Sequence, residues 1–389
     1  MHIDFHSSQR SSLGVEVELQ IVDRRTRELA SAGSDILSEI SSGIEGASGE
    51  GKDHPRIKHE LLECTLEINT SVCSTVSEAR ADLESSLTEL TPAAGARGLA
   101  LMSSGTHPFS QWHNQRISPD PRYARLVEDL QWPARQLQIF GLHVHVGVRS
   151  SEKVIAIANG LLAYVPHFLA LSASSPYWLG EDTGLASSRS KVFELLPTAG
   201  LPHQMSCWAE FEQFMGTLVS ARSISSIREV WWDIRPHPNF GTVELRICDA
   251  VPTLGEVAAL AALSQSMVEW MDGLCDQGWP RPSPQMWIVR ENKWRAARHG
   301  LDARIITDGN GSLMPIRDAI RDIVEELSPV ASRLGCLDEL RGILTIVDNG
   351  PSYLRQRAVA ARTGRLTAVV DSLVEELATD IPTSLVDRG

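Results

Sequence analysis

The sequence has few cysteines and no long apolar run. Its six cysteines are scattered along 389 residues without a Cys-x-x-Cys pair, so neither a zinc cluster nor a disulfide framework is indicated, and reduced thiols are expected. No stretch approaches the ~18 uninterrupted apolar residues of a membrane span, and the N-terminus lacks an apolar signal core. We therefore expect a cytoplasmic protein that has no membrane partner.

Several catalytic motifs are also missing. The chain contains no Gly-x-x-x-x-Gly-Lys-[Ser/Thr] loop, no Gly-x-Gly-x-x-Gly fingerprint, no Gly-x-Ser-x-Gly elbow and no His-Glu-x-x-His helix. Their absence argues against P-loop, Rossmann, esterase and zincin chemistry.

Positive charge is scarce as well. The 36 Lys and Arg residues against 49 Asp and Glu residues give a formal net charge of -13, which argues against a nucleic-acid or anionic-membrane partner. Only five of the 36 basic residues are lysines. Arginine binds carboxylates and phosphates bidentately, although a GC-rich coding sequence would produce the same bias. An anionic small substrate would depend on local arginines.

The most informative segments alternate ionisable and apolar residues. Residues 141–148, Gly-Leu-His-Val-His-Val-Gly-Val, have the two-residue period of a β-strand, which places His143 and His145 on one face. Alone, this pattern fits a half-solvated strand equally well. The design recurs in two other segments, with Glu16 and Glu18 in residues 13–19, and Glu244 and Arg246 in residues 241–247. Carboxylates with few imidazoles and no thiolates suit Mg2+ or Mn2+ better than zinc.

Residues 57–69 hold three further glutamates, Glu60, Glu63 and Glu67. Their spacing of three and four would suit a helix, whereas the alternation over residues 65–69 suits a strand, which we favour. The alternative is that these acids simply solvate a surface.

The remaining pattern mixes strands and helices out of strict β-α-β order, which predicts an α+β fold. We predict a strand at 99–102, loops at 43–54 and 172–180, a mostly helical final hundred residues, and helices at 34–43, 75–95, about 120–134, 151–171, 208–222 and 254–275. No internal repeat or low-complexity linker is visible. We therefore expect residues 1–389 to form one catalytic domain, with a core of about 10–360 and a helical C-terminal extension at 361–389.

Taken in order, these segments resemble the type 2 glutamate-cysteine ligase family, also called the carboxylate-amine ligases, of the glutamine synthetase superfamily. The motifs are Glu-Val-Glu at 16–18, the acidic segment 60–67, His-Val-His at 143–145 and Val-Glu-Leu-Arg at 243–246. Further matches include Gly105-Thr-His-Pro-Phe109, Trp232-Asp-Ile-Arg-Pro236 and Glu291-Asn-Lys-Trp-Arg-Ala-Ala-Arg298. The resemblance spans most of residues 10–360, and the ordered set is more specific than any single motif.

The resemblance implies an α+β fold in which a curved antiparallel sheet forms a funnel, with packed helices and a helical C-terminal region. It implies an ATP-dependent ligase that forms an amide through an acyl phosphate, with glutamate and cysteine as the expected small-molecule substrates and γ-glutamylcysteine as the product. The expected cofactors are ATP and Mg2+, or Mn2+, because phosphoryl transfer develops charge that divalent metals and guanidinium groups neutralise. A homo-oligomer is a further expectation.

The resemblance also assigns roles by position. The expected metal ligands are Glu16, Glu18, Glu60, Glu67, His143 and Glu244. Arg235 and Arg246 are assigned to the transferring phosphoryl group or the substrate carboxylate, His145 to nucleotide phosphate and Arg189 to the substrate. For each arginine the alternative is a surface salt bridge. The histidines for which a structural role is expected are His107, His203 and His237.

Other functions remain open at this point. A biosynthetic ligase could join another acid to another amine, a guanidino kinase-like phosphotransferase would consume ATP without a condensation product, and a noncatalytic homologue would keep only the fold. We expect Glu244→Gln to keep the fold and lose most turnover, because it removes a charged ligand with little change in size.

Overall fold

The computed structural model describes residues 1–42, 54–282 and 284–385. The acidic loop predicted at 43–54 therefore lies outside the described residues, apart from His54. The strands are β1 (Leu13–Asp23), β2 (Ile57–His59), β3 (Thr65–Asn69), β4 (Leu99–Met102), β5 (Leu142–Gly147), β6 (Tyr177–Trp178), β7 (Glu181–Asp182), β8 (Ile234–His237), β9 (Thr242–Leu245), β10 (Arg304–Ile306) and β11 (Leu313–Pro315).

Helices make up most of the rest of the described chain, which also contains four short 3-10 turns. The helices are α1 (Gly33–Ser42), α2 (Val76–Gly95), α3 (Pro121–Leu130), α4 (Trp132–Arg135), α5 (Ser151–Leu161), α6 (Val165–Ser172), α7 (Arg189–Phe193), α8 (Trp208–Ser220), α9 (Leu254–Asp276), α10 (Met286–His299), α11 (Ile316–Leu334), α12 (Leu337–Asn349), α13 (Ser352–Thr363) and α14 (Leu366–Thr379). The predicted α+β class and the mostly helical C-terminal region are confirmed.

Seven strands form the main sheet, and all their pairings are antiparallel. The strand order is β2-β3-β1-β5-β9-β8, and β4 pairs with the end of β1. Gln20 pairs with both Thr65 of β3 and Met102 of β4. Since a residue has one neighbour on each side, β3 and β4 flank β1 on opposite edges. The strands predicted around Glu16, Glu67, His143 and Glu244 are confirmed, whereas β8 was not predicted.

One face of the sheet is buried under helices. The alternate residues Val15, Val17, Val144, Val146 and Val243 are each at most 1% exposed and pack in the core beneath α2, α5 and α9. Transfer of such side chains from water contributes about 1.5–3 kcal/mol each. Because side chains alternate across a strand, this burial directs the ionisable residues to the other face.

Two predicted helices are interrupted where the backbone departs from helical geometry. The helix expected at 151–171 divides into α5 and α6 around a 3-10 turn at Leu162–Tyr164, with Pro166 in the first turn of α6. The helix expected at about 120–134 divides at Gln131, which has a positive φ of 52°. Among the described residues, Ser151–Ser172 is apolar and long enough to cross a membrane, but 78% of its most apolar part is buried inside the protein.

The C-terminal helices pack on the sheet. Val369, Val370 and Leu373 of α14 are fully buried against Val22 of β1 and Met102 of β4. We propose that the chain forms a single catalytic domain, because α14, which lies after residue 360, packs against β1 and β4.

Candidate active site

Three strands predicted to carry the site lie side by side. In the register of β1 and β5, Glu16 pairs with His143, and in that of β5 and β9, His145 pairs with Glu244. The apolar faces of these strands are buried against helices, so their ionisable side chains meet on the opposite face. The alternation of apolar and ionisable residues in the sequence therefore corresponds to the two faces of the folded strands.

Glu16 lies between the two histidines of β5. Its Oε2 is 3.2 Å from His143 Nδ1 and its Oε1 is 3.4 Å from His145 Nε2. Burial opposes ionisation of Glu16, but its hydrogen bonds with both histidines hold its pKa well below the usual value. Burial lowers the pKa of His143 to about 4, so its imidazole is neutral near pH 7 and able to bind a metal. For His145, attraction to Glu244 and Glu16 outweighs burial and raises the pKa.

A second group consists of carboxylates alone. Glu18, Glu60 and Glu67 each place an oxygen within 4.8 Å of the other two, and Glu67 stands opposite Glu18 in the register of β1 and β3. Burial, together with repulsion from neighbouring carboxylates, raises the pKa of Glu18 and of Glu60 to about 7. Burial also raises the pKa of Glu67 well above its usual value. Crowded, buried carboxylates are unfavourable unless a cation lies among them.

The structure separates the three glutamates of residues 57–69. Glu60 lies in the loop between β2 and β3, and Glu67 lies on β3. Glu63 instead accepts hydrogen bonds from the backbone N–H and the hydroxyl of Ser34 at the start of α1. Glu63 therefore stabilises a helix N-terminus, whereas Glu60 and Glu67 belong to the carboxylate group with Glu18.

The donor set fits a hard divalent cation. In the described part of the chain, three sets of ligand atoms meet within 4.8 Å, namely Glu16–His145–Glu244, Glu16–Glu67–His143 and Glu18–Glu60–Glu67. Each predicted metal ligand belongs to at least one set, and His145, predicted to bind phosphate, belongs to one as well. Many carboxylate oxygens with few imidazole nitrogens are the donors that suit Mg2+ or Mn2+.

Glu244 is held by two guanidinium groups. It is completely buried, its Oε2 lies 2.7 Å from Arg235 Nε and Nη2, and its Oε1 lies 2.5 Å from Arg246 Nη1. Burial opposes ionisation, yet the two arginines hold the pKa of Glu244 far below its usual value. Both arginines are largely buried, so their pairs with Glu244 are not surface salt bridges. The Oε1 atom that Arg246 contacts also lies 3.7 Å from His145 Nε2.

Arg189, at the start of α7, reaches the edge of the same cluster. It is 3% exposed, and its charge acts on Glu18, where it opposes the effect of burial on the pKa. A Cβ at Gly141 would collide with Arg189 Nη2 and His143 Nε2. Glycine at this position is therefore what lets the guanidinium lie over the start of β5.

One predicted structural histidine lies beside the site. His237 of β8 stacks on Phe240, with ring centroids 4.1 Å apart and an angle of 11°, and both rings contact His145 edge-on at 5.6 Å. His107, by contrast, accepts hydrogen bonds from the backbone N–H groups of Phe109 and Ser110 and has a structural role. His237 and Phe240 thus form one wall next to His145.

Sequence reasoning missed two polar residues of the cluster. Asn69 donates to Glu67 Oε1 at 2.8 Å, and within the described residues its own Oδ1 has no hydrogen-bond partner. Asp249 is fully buried, 3.8 Å from Arg189. The alternation of residues 65–69 places Asn69 on the face of Glu67, so that signal was present. Asp249 lies beyond the end of β9, and no periodicity marks it.

Comparison with known proteins places these motifs in context. The sequence model of glutamate-cysteine ligase family 2 matches residues 12–372. A Frankia casuarinae protein provisionally named glutamate-cysteine ligase 2-1 is 57% identical over 383 residues, which cover 98% of this chain and 99% of the relative. A Thermobifida fusca protein provisionally named glutamate-cysteine ligase 2 is 50% identical over 382 residues, with 98% and 94% covered.

A solved structure shares the fold. The glutamate-cysteine ligase of Francisella tularensis, determined in complex with AMP, superposes with a TM-score of 0.70 and covers 97% of this chain and 90% of its own. The two sequences are 13% identical. At that identity the likeness establishes a common architecture.

Proposed function

Because the chain belongs to glutamate-cysteine ligase family 2 and is thereby an ATP-dependent carbon-nitrogen ligase, we propose that it joins glutamate to cysteine through an acyl phosphate. A carboxylate is a poor electrophile, and transfer of the γ-phosphoryl group of ATP converts it into an activated acyl group. Attack by the cysteine amine would then form γ-glutamylcysteine and release phosphate. The proposal includes a cytoplasmic location and homo-oligomerisation as expectations.

The observation that carries the proposal is the meeting of a carboxylate-rich cluster with buried arginines on one sheet face. Glu18, Glu60 and Glu67 bring three carboxyl groups together. Arg235 and Arg246 contact the buried Glu244 at 2.7 Å and 2.5 Å, respectively. Phosphoryl transfer requires both features, since cations neutralise the phosphate oxygens and donors orient them.

The metal ligands we propose are Glu16, Glu18, Glu60, Glu67, His143 and Glu244. Mg2+ or Mn2+ at these residues would supply charge neutralisation at the phosphate oxygens of ATP. The neutral imidazole of His143 suits this role, and the raised pKa of His145 suits a donor to phosphate. We therefore retain His145 as the proposed phosphate contact, although its geometry also fits a ligand.

The arginines have donors to offer an anion. In the described part of the chain, Nε of Arg246 and Nε of Arg189 are buried without a hydrogen-bond partner. We propose that Arg246, together with Arg235, binds the transferring phosphoryl group, and that Arg189 binds the carboxylate substrate. Glu244 would hold the first two in place, so that their donors need no rearrangement when charge develops.

Product analysis tests the proposed function. We expect that incubation with ATP, Mg2+, glutamate and cysteine yields a γ-glutamylcysteine mass together with an equal amount of ADP, measured by mass spectrometry and an ADP assay. A panel of other amines and acids serves as the control for substrate choice. ADP together with a different amide would mean that the enzyme ligates another acid and amine. ADP without an amide, or with a phosphorylated guanidine, would indicate a phosphotransferase. The absence of ADP with every acid and amine tested would contradict the proposed ligation.

A further inference from the structure

The guanidinium of Arg189 is weakly held by the backbone around it. Its Nη1 and Nη2 lie 3.4 Å from the carbonyl oxygens of Ile247 and Arg246, which is long for a charged donor. Its Nε has no hydrogen-bond partner among the described residues. These contacts alone do not fix where the guanidinium points.

Asp249 supplies the counter-charge. Its Oδ1 lies 3.8 Å from Arg189 Nη1 and accepts a hydrogen bond from the Ser187 hydroxyl at 2.9 Å. Its Oδ2 accepts from the Ser175 hydroxyl at 2.6 Å and from the Ser174 N–H at 3.0 Å. Burial raises the pKa of Asp249 above its usual value, whereas the charge of Arg189 and these three hydrogen bonds act in the opposite direction and favour the ionised carboxylate.

The same network also fixes the backbone of Arg189. Its N–H donates to the Ser175 hydroxyl at 3.1 Å, so one serine is bonded both to Asp249 and to Arg189. A Cβ at Gly105 would collide with the carboxylate of Asp249, which shows how tightly that carboxylate is enclosed. Asp249 is therefore a rigid anchor, and Arg189 is attached to it at the main chain and by charge.

We propose that Asp249 is a positioning residue that orients Arg189 toward the carboxylate of the acid substrate, an inference that rests on the proposed function. A guanidinium recognises a carboxylate through a planar fork of donors. The guanidinium must be oriented before the substrate binds, since a displacement of a substrate-binding group by about 1 Å lowers catalytic efficiency by about 100-fold. Asp249 and Ser175 contact Arg189 at Nη1 and at the main-chain N–H, and its Nε, unpartnered among the described residues, is left for the ligand.

The test is Asp249→Asn, which keeps the side-chain size and removes the charge. We expect the KM for the acid substrate to rise about 10-fold or more, while the KM for ATP changes by less than about 2-fold, because the proposed phosphate contacts do not involve Asp249. Initial rates of ADP release at varied glutamate and varied ATP give both constants. An unchanged KM for glutamate, or an equal rise in both constants, would overturn the inference.

The matched control is Asp272→Asn. Asp272 is also a buried aspartate, 2% exposed, and pairs with Arg149 at 2.9 Å and Lys153 at 2.6 Å in a separate network. It should lose a similar amount of stability and keep both KM values. If Asp249→Asn does not fold, Ser187→Ala removes one donor to Asp249 and should raise the KM for glutamate in the same direction by a smaller factor.

A double-mutant cycle separates positioning from general structural damage. With Arg189→Met as the background, adding Asp249→Asn should leave kcat/KM for glutamate, measured from the slope at low glutamate, unchanged within about 2-fold. An equal loss in both backgrounds would mean that Asp249 does not act through Arg189. If the wild type uses another acid, the same ratios are measured for that acid; ligation of no acid would overturn the function and the inference together.

Discussion

Glu244→Gln is expected to lower kcat by about 100- to 1,000-fold, the usual cost of losing a preorganised electrostatic contact in an active site. It should also lower the free energy of unfolding by about 3–5 kcal/mol, because it leaves two buried guanidinium groups without their counter-charge. Both oxygens of Glu244 are engaged by arginines and the residue is completely buried. The sequence alone predicted the loss of turnover with the fold retained, and the buried ion pairs add the cost in stability.

Chemical unfolding and steady-state ADP release measure these two effects. Glu256→Gln is the matched control, since Glu256 is a buried glutamate paired with Arg355 at 2.8 Å outside the site. Arg355 keeps a second partner, Glu376, at 2.9 Å, so we expect a smaller loss of stability and an unchanged kcat. Normal turnover in Glu244→Gln would contradict our assignment of the Arg235–Glu244–Arg246 contacts to the reaction.

Much of the sheet could be predicted because its strands alternate strictly. Each of the strands around Glu16, His143 and Glu244 has one apolar face and one ionisable face, and that two-residue period survives in the structure. β8 could not be predicted in the same way. It contains Pro236 in a run of four residues, and proline is compatible with a strand only at an edge, which is the position of β8 in the sheet.

The site was predictable as a set of residues and less so as a set of contacts. Alternation identifies which side chains share a face, but the partner across the sheet depends on register, which the sequence does not state. Arg235 and Glu244 are therefore recognised separately, while their pairing across β8 and β9 is visible only in the fold. Asp249 is harder still, because its donors come from a loop about sixty to seventy-five residues earlier in the chain.

In the acidic segment, residues 60–67, the sequence also fails to show which neighbours each glutamate contacts, although these residues are close together in the chain. Glu60, Glu63 and Glu67 are equally acidic, and spacing alone supports either a helix or a strand. The turn between β2 and β3 sends Glu63 toward α1 and leaves Glu60 and Glu67 beside Glu18. This division provides a pair of buried glutamates, one inside the proposed metal site and one outside it, for the second large prediction.

Glu67→Gln is expected to lower metal-dependent turnover strongly without destabilising the metal-free protein. Glu67 is buried beside Glu18 and Glu60, and burial and carboxylate repulsion raise its pKa. In the absence of a cation its ionised form is therefore unfavourable, and a neutral glutamine avoids that cost. Its amide oxygen can still accept from Asn69. We expect the Tm in EDTA to stay equal or rise by roughly 1–3 °C, and kcat with Mg2+ to fall by about 100-fold or more.

The decisive measurement is the change in Tm when Mg2+ is added. A ligand that binds only the folded protein raises its stability by an amount set by its affinity, so the wild type should gain stability with Mg2+ and Glu67→Gln should gain much less. Glu63→Gln, a buried glutamate bonded to Ser34, should retain the full Mg2+ response. If Glu67→Gln lost stability in EDTA as Glu244→Gln does, Glu67 would be a partner in a buried ion pair and the proposed metal site would be misplaced. Opposite signs for the same substitution at Glu67 and Glu244 would instead separate a carboxylate that only a metal ion stabilises from Glu244, which the two arginines also stabilise.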